Sequence, residues 1–291
     1  MIQGIDTSFW CTTILDEKLK KRVYSAHFDK IPLDLYKFCI VKATGCNPAY
    51  ADPLYTDIAY VQSITDAAPL LPCSVFHWFN PRVGYAYQVQ YFISKVCKWE
   101  GGSWKYNLPV RPWLDVEVLT GQSYKETANR IDGFLNMFGD ITGVLPGIYT
   151  RKNIWNYLPK RDWRRFDLWA ARYNIVPPEL PNGFDHWTFW QYADNGIVPG
   201  LLGGVDMNYF NPALDWNAYM GLLGPKVWTV LQDAPMNFSP QFGHRNTPIA
   251  TGEKFTVLKT ELDEYGNKWG CYDEAKQLWV MMEFGATKLV E

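Results

Sequence analysis

The sequence predicts an α/β protein: a barrel of parallel βα units over about the first 215 residues, followed by a small all-β barrel. Three observations carry this. Short apolar runs of strand character alternate with helical patterns from residue 2 to residue 208. Acidic and aromatic residues recur at the ends of those runs, where parallel barrels keep their chemistry. From residue 226 the pattern changes to short β-rich runs with turn residues between them. The expected domains are therefore 1–215 and 226–291, joined by a linker at 216–225.

Residues 2–6 read as the first strand, ending in Asp6, with Thr7-Ser8-Phe9-Trp10 as a loop. The run Lys37–Thr44 is a second buried strand, and the pattern predicts a helix over Asp52–Ala67. Leu70–Trp78 is a third strand, closing on Phe76-His77-Trp78, and a helix follows over about 84–97. Arg111–Glu117 is a short buried strand. Ser123-Tyr124-Lys125-Glu126 then has the form of a capping box. Ile131, Phe134, Leu135 and Phe138 continue at helical spacing, and Gly139 is placed to end that helix. Strands are expected at Val144–Thr150, Asp167–Tyr173 and His186–Tyr192, and the glycine-rich stretch 196–204 leads into Val205-Asp206-Met207-Asn208. That stretch reads as a turn, because a phosphate cradle would end in Lys-Ser/Thr. The last 66 residues place strands at 227–231, 254–259, 268–272 and 278–282, with a turn at Tyr265-Gly266-Asn267.

Bulk properties narrow the function classes. The net charge of −2 comes with no basic stripe, so no nucleic-acid partner is expected. Six scattered cysteines without a C-x-x-C argue against a disulfide framework and against a zinc site. Reduced thiols fit a chain made in the cytosol, and Cys11 and Cys46 read as buried small side chains. No apolar run reaches the length of a membrane span, so no membrane partner is expected. Met1-Ile2-Gln3-Gly4-Ile5-Asp6 leads straight into a strand pattern, and no signal peptide is expected. A monomer is the default expectation. Fourteen Trp in 291 residues are a surplus of flat rings of the kind that stack on sugars.

The chemistry centres on Arg111-Pro112-Trp113-Leu114-Asp115-Val116-Glu117. Side chains two apart on a strand share a face, about 7 Å apart at Cα, so Asp115 and Glu117 project together. Like charges in a buried place disfavour joint ionisation, so one carboxyl stays protonated near neutral pH, as acid catalysis at a glycosidic oxygen requires. Asp6 and Asp206 add two more acids to the rim, and His77, Trp78, Tyr149, Tyr173, Trp190, Gln191 and Tyr192 supply candidate sugar contacts.

Seven motifs in order carry a resemblance. They are Gly4-Ile5-Asp6-Thr7-Ser8, Val41-Lys42-Ala43-Thr44, Pro112–Glu117, Pro146-Gly147-Ile148-Tyr149-Thr150, Leu168–Tyr173, Trp190-Gln191-Tyr192 and Val205-Asp206-Met207-Asn208. With them the first 215 or so residues resemble glycoside hydrolase family 25, the Chalaropsis-type lysozymes or N-acetylmuramidases. The resemblance implies an irregular, flattened (β/α) barrel and cleavage of the β-1,4 bond between N-acetylmuramic acid and N-acetylglucosamine in bacterial peptidoglycan. It implies Glu117 as general acid/base, with Asp6, Asp115 and Asp206 as the other site acids, and no metal or cofactor. Whether a carboxylate or the substrate's own 2-acetamido group attacks the anomeric carbon stays open, with Asp115 as the orienting group in the second scheme. The chain departs from the family pattern where Gly45 follows Thr44 directly, in place of an acid. Residues 226–291 resemble a bacterial Src-homology-3-like wall-binding module through Trp269-Gly270-Cys271-Tyr272 and Leu278-Trp279-Val280. The combination resembles a phage endolysin, made in the host-cell cytoplasm and acting on the cell wall after release. Two other classes compete with this reading: a non-catalytic glycan-binding protein on the same scaffold, and a stem-peptide amidase or peptidase, for which the nucleophile or metal constellation is lacking.

Overall fold

The computed structural model describes residues 1–49, 51–100 and 102–220, together with the backbone of strands between Lys226 and Lys288. The chain divides into two compact units, Met1–Tyr219 and Met220–Glu291.

The first unit is built on eight strands: β1 (Gln3–Thr7), β2 (Tyr36–Cys46), β3 (Cys73–Trp78), β4 (Trp113–Asp115), β5 (Gly147–Thr150), β6 (Leu168–Ala171), β7 (Phe189–Gly196) and β8 (Val205–Phe210). They pair in the order β1-β8-β7-β6-β5-β4-β3-β2, and β2 pairs back to β1, which closes the barrel. Six of the eight pairings are parallel, but β8 runs antiparallel to both β1 and β7. That corrects the expectation of parallel units throughout. A two-residue shift of register is not needed to explain it: β7 and β8 form a hairpin, the connection antiparallel neighbours allow. Asp206 therefore lies at the start of its strand, yet on the same rim as the C-terminal ends of the others, opposite Asp6.

Helices are fewer than a regular barrel would carry. The helices α2 (Tyr60–Ala67), α3 (Tyr85–Val96) and α4 (Tyr124–Thr142) follow β2, β3 and β4. A four-residue turn of helix, α1 (Phe9–Thr12), and a hairpin, Thr13–Asp16 with Lys21–Tyr24, occupy the β1–β2 connection. The helix expected over Asp52–Ala67 is shorter than its pattern. Leu54–Thr56 instead pairs antiparallel with the end of β2, and Asp57 opens the turn by accepting from the Ala59 backbone N–H at 2.9 Å. In α4 the N-cap half of the expected capping box forms, the Ser123 hydroxyl accepting from the Glu126 N–H at 3.2 Å, while the Glu126 carboxylate turns to Arg130 Nε at 2.8 Å. The helix passes through Gly139 and ends at Gly143, whose φ of 74° is the left-handed cap. Gly139 is needed for contact rather than termination: a Cβ there would meet Leu145 Cδ2 at 2.7 Å.

Inside the barrel, alternation sorts the side chains into layers. Phe38, Trp113, Phe189 and Phe210 fill the lower layer, with Trp113 and Phe189 centroids 5.4 Å apart and Phe38 and Phe189 4.7 Å apart. Two glycines make room for these rings. A Cβ on Gly4 would stand 2.5 Å from the Phe38 ring, and one on Gly147 would stand 2.2 Å from Trp113. Outside, Phe92, Phe134 and Phe138 of α3 and α4 pack on the wall. The short helix Trp216–Met220 lays Trp216 and Tyr219 against Phe210, at 5.0 and 5.3 Å. The segment from 216 to 219 thus packs on the barrel as part of the first unit.

The second unit contains antiparallel strand pairs throughout. Lys226–Thr229 pairs with Lys254–Val257. A second sheet runs Arg245–Ile249, Ala234–Asn237, Leu278–Phe284, Lys268–Asp273, Lys259–Leu262, with Thr287–Lys288 on the Leu278–Phe284 strand. The turn at Tyr265-Gly266-Asn267 and linker residues 221–225 lie outside the described residues.

Candidate active site

The upper layer of the barrel opens as a cleft of about 240 Å³. Asp6 and Asp206 line it on one side, Asp115 and Glu117 on the other, with Tyr149, Gln191 and Tyr173 between them. Seven of the eleven residues expected from the sequence are brought together there.

Asp115 ends β4 and is 5% exposed; Glu117, two residues on, reaches the mouth with its side chain 32% exposed. The backbone between them stays extended along β5, Val116 N–H donating to the Tyr149 carbonyl at 2.9 Å. Leu114 and Val116 are fully buried on the opposite face, so the same-face placement of the two acids holds. Burial, and then the Glu117 charge, push the Asp115 carboxyl well above the usual range. Its Oδ1 is buried and lacks a partner among the described residues. Two cations oppose these effects. Arg151 Nε stands 3.9 Å from Glu117 Oε1, and the Lys42 ammonium lies among the rings of Trp78, Phe76 and Tyr55 at 5.6–5.9 Å.

The far side is organised differently. Asp6 Oδ2 accepts from Gln191 Nε2 at 2.9 Å and from Asn208 Nδ2 at 2.8 Å. Asn208 is fixed in turn by Trp169 Nε1, which donates to its Oδ1 at 2.7 Å. Gln191 Oε1 accepts from the hydroxyls of Tyr149 (2.8 Å) and Tyr173 (3.1 Å), and the Tyr173 oxygen accepts from Arg151 Nη2 at 2.8 Å. Burial raises the Asp6 carboxyl to about 7 despite these donors. Asp206 is raised to about 9, by burial first and then by the charge of Asp6. Asp206 faces Asp6 across the β1–β8 pairing, and two like charges buried together disfavour joint ionisation. At neutral pH this pair therefore carries less than two full negative charges.

Four expected contacts fall outside the cleft, for one geometric reason and one of reach. His77 has the parity opposite to Phe76 and so points out of the barrel, where it is fully buried against Phe134 and Phe92. Burial lowers it to about 4, and the neutral ring is held by Thr44 Oγ1 on Nδ1 (2.7 Å) and Gln88 Oε1 on Nε2 (3.1 Å). Trp190 has the outward parity relative to Gln191; it is 2% exposed, and its Nε1 donates to the Arg172 carbonyl at 2.8 Å. Tyr192 follows it outward and stacks on Tyr209 at 4.2 Å. Trp78 has the inward parity but reaches the cleft only through Lys42.

Sequence reasoning assigned no role to Lys42, Arg151, Trp10 or Trp169, all of which line the cleft. Lys42 had a readable signal: it is a lone charge inside the apolar strand Phe38–Ala43, on the inward parity of Phe38. Arg151 shares the inward parity of Tyr149 one turn of the pleat further on.

Comparison with known proteins gives this cleft a class. The family Glycosyl hydrolases family 25 matches residues 24–201. Lysozyme M1 of Streptomyces globisporus is 30% identical over 226 residues, covering 72% of this chain and 68% of its own. Among solved structures, the bacterial lysozyme from Streptomyces coelicolor superposes with a TM-score of 0.62 at 25% identity, covering 76% of this chain and 96% of that one. The muramidase from Acremonium alcalophilum does so with 0.60 at 27% identity, covering 77% and 99%. The chain belongs to glycosyl hydrolase family 25 and is a glycoside hydrolase.

Proposed function

We propose that the enzyme is a lysozyme of the N-acetylmuramidase type, cutting the β-1,4 bond between N-acetylmuramic acid and N-acetylglucosamine in bacterial peptidoglycan. The observation that carries the reading is the pairing of Glu117 at the cleft mouth with a buried Asp115 oxygen that has no partner among the described residues. Glu117 is placed to meet a glycosidic oxygen entering from solvent. Asp115 Oδ1 is an acceptor awaiting a donor, and the N–H of a 2-acetamido group is one.

In this reading Glu117 gives its proton to the leaving oxygen as the acetamido carbonyl oxygen bonds to the anomeric carbon and the glycosidic bond breaks. Asp115 Oδ1 accepts the acetamido N–H and holds the acetamido carbonyl oxygen toward the anomeric carbon. Water then attacks the anomeric carbon, Glu117 takes its proton, and the acetamido group is released. The half-neutralised Asp6–Asp206 pair, fixed by Gln191 and Asn208, forms the opposite wall without adding a second full charge. Tyr149, Tyr173 and the exposed Trp10, backed by the Arg22 guanidinium at 4.8 Å, offer sugar contacts.

The residues of the second unit are the proposed wall-binding module, Src-homology-3-like, and the whole is endolysin-like: made in the host cytoplasm, acting on the wall after release. A culture producing the enzyme should stay intact until its membrane is permeabilised; lysis without permeabilisation would refute that route. The activity itself is tested by mass analysis of purified peptidoglycan digested with wild type and with Glu117→Gln. Fragments ending in reducing N-acetylmuramic acid from wild type alone support the reading. Equal digestion by both would remove Glu117 from its role, and new amino groups without reducing sugar would point to stem-peptide cleavage.

A further inference from the structure

A second cavity, about 450 Å³, lies on the outer wall beside the cleft, between the short helix Lys152–Trp155 and the loop that follows β6. Its size is that of a small-ligand site. Its floor is apolar, at Ala170, and its sides carry Lys152, Arg172 and Glu179 with the amides of Asn153 and Asn156. The outer wall is tied in place. Lys152 is bonded to Glu179, and Arg172 Nη1 donates to the Pro177 carbonyl at 2.8 Å. The Asn182 N–H donates to Asn156 Oδ1 at 2.8 Å, and Trp155 Nε1 donates to the Asn182 carbonyl at 3.1 Å.

The cavity and the cleft meet at two backbone steps. Arg151 and Tyr173 line the cleft; their neighbours Lys152 and Arg172 line the cavity. Adjacent Cα atoms are about 3.8 Å apart, so a ligand that leaves the cleft over this rim enters the cavity within a residue or two. Two cations, one anion and two amides around an alanine floor suit a short peptide of small residues bearing carboxylates. A guanidinium has five N–H donors, so the bond to Pro177 leaves Arg172 able to fork onto a carboxylate.

We propose that this cavity binds the stem peptide carried by the muramic acid unit, with Arg172 on a peptide carboxylate and Ala170 under an alanyl side chain. The proposal rests on the muramidase reading for its substrate. Its consequence is that the enzyme discriminates between glycan strands that bear stems and strands stripped of them, at a place that takes no part in bond cleavage.

Two measurements test it. The first is a calorimetric titration of the full chain with a soluble muramyl tripeptide, alanyl-γ-glutamyl-lysine on N-acetylmuramic acid, for wild type, Arg172→Ala and Asn153→Trp, the last filling the cavity. Loss of one charge-assisted hydrogen bond should weaken binding by about tenfold or more in Arg172→Ala, and Asn153→Trp should abolish it. The second is the ratio of kcat/KM on stem-bearing glycan to that on amidase-stripped glycan, which should fall by a similar factor in both variants, through KM. Equal affinity in all three proteins with an unchanged ratio overturns the proposal, as does the absence of binding by wild type at millimolar tripeptide. If wild type cleaves neither glycan, the muramidase reading fails and the titration still decides the cavity.

Discussion

The lower and upper layers of the barrel use the same strands two residues apart and obey opposite rules. Below, Trp113, Phe189 and Phe210 meet ring to ring, and Gly4 and Gly147 surrender their side chains to let them. Above, the next inward positions on those strands are Asp115, Gln191, Asn208, Asp6 and Tyr149. There carboxyls are buried at a cost, an Asp115 oxygen has no partner among the described residues, and the charge of Asp6 helps keep the proton on Asp206. The lower layer is where the fold gains stability by excluding water, and the upper layer is where some of that stability is given up for chemistry. Substitutions two residues apart should therefore separate activity from stability.

The largest separation is expected at Glu117. Removing a general acid/base lowers turnover by about 10²–10⁴-fold, whereas among the described residues the partly exposed side chain makes just the long 3.9 Å ion pair with Arg151. Glu117→Gln should thus lose nearly all turnover and keep its melting temperature; a melting temperature that collapses with activity would place Glu117 among the structural residues. Gly147→Ala is the converse experiment. A methyl 2.2 Å from the Trp113 ring cannot be absorbed by a flexible tip, and overpacking of this kind costs about 1–3 kcal/mol. The variant should melt earlier, and the kcat of the folded fraction should stay near wild type. An unchanged melting temperature would show that the lower layer has slack.

Much of this division is written in strand parity, and that marks how far the sequence could be read. The acids were legible because each sits in a short motif at a run's end, and parity alone puts Asp115 with Glu117. The same parity, applied to Phe76-His77-Trp78, would have sent His77 outward; position at a strand end obscured it. Trp190 and Tyr192 go outward for the same reason, opposite in phase to Gln191. The reversal of β8 was not legible, because it follows from how the last two strands close the sheet, and Asp206 reaches the rim from its strand's beginning. The site cations were legible in principle, since Lys42 interrupts an apolar strand, but nothing local says that its ammonium ends beside Asp115. Similarly, Gly139 and Gly143 both read as stop signals in sequence, and the folded backbone separates them: Gly143 takes the left-handed φ of 74°, while Gly139 stays helical against Leu145.

Arg151 offers a smaller effect that sharpens the picture of the upper layer. It touches both halves of the cleft, standing 3.9 Å from Glu117 and donating to Tyr173, whose hydroxyl reaches Gln191. Arg151→Ala should lower kcat/KM by about three- to tenfold, the scale of one hydrogen bond to a charged group. Arg151→Lys should recover only part, because an ammonium keeps the charge but lacks the fork that stacks on Tyr173 at 4.7 Å. Full recovery by lysine would reduce the role of Arg151 to charge alone.

The smallest effect is a pH slope, and its sign follows from the raised acids. An unfolded chain releases the Asp206 proton near 3.8, whereas the folded chain holds it to about 9. The native state therefore binds more protons over that window, and stability falls as pH rises through it. The contribution is whole below about pH 4 and is lost by about 9. Asparagine imitates the protonated acid: it has the same shape, is neutral and cannot ionise. Melting curves of wild type and Asp206→Asn should lie nearest below about pH 4 and diverge toward pH 9, with the variant the more stable at the alkaline end. Salt bridges elsewhere, such as Arg111–Asp167 at 2.8 Å, are common to both proteins and cancel in the difference. A difference that stays flat with pH would mean that the Asp6–Asp206 pair does not share a proton, and that the upper layer tolerates two full charges where the geometry makes room for one.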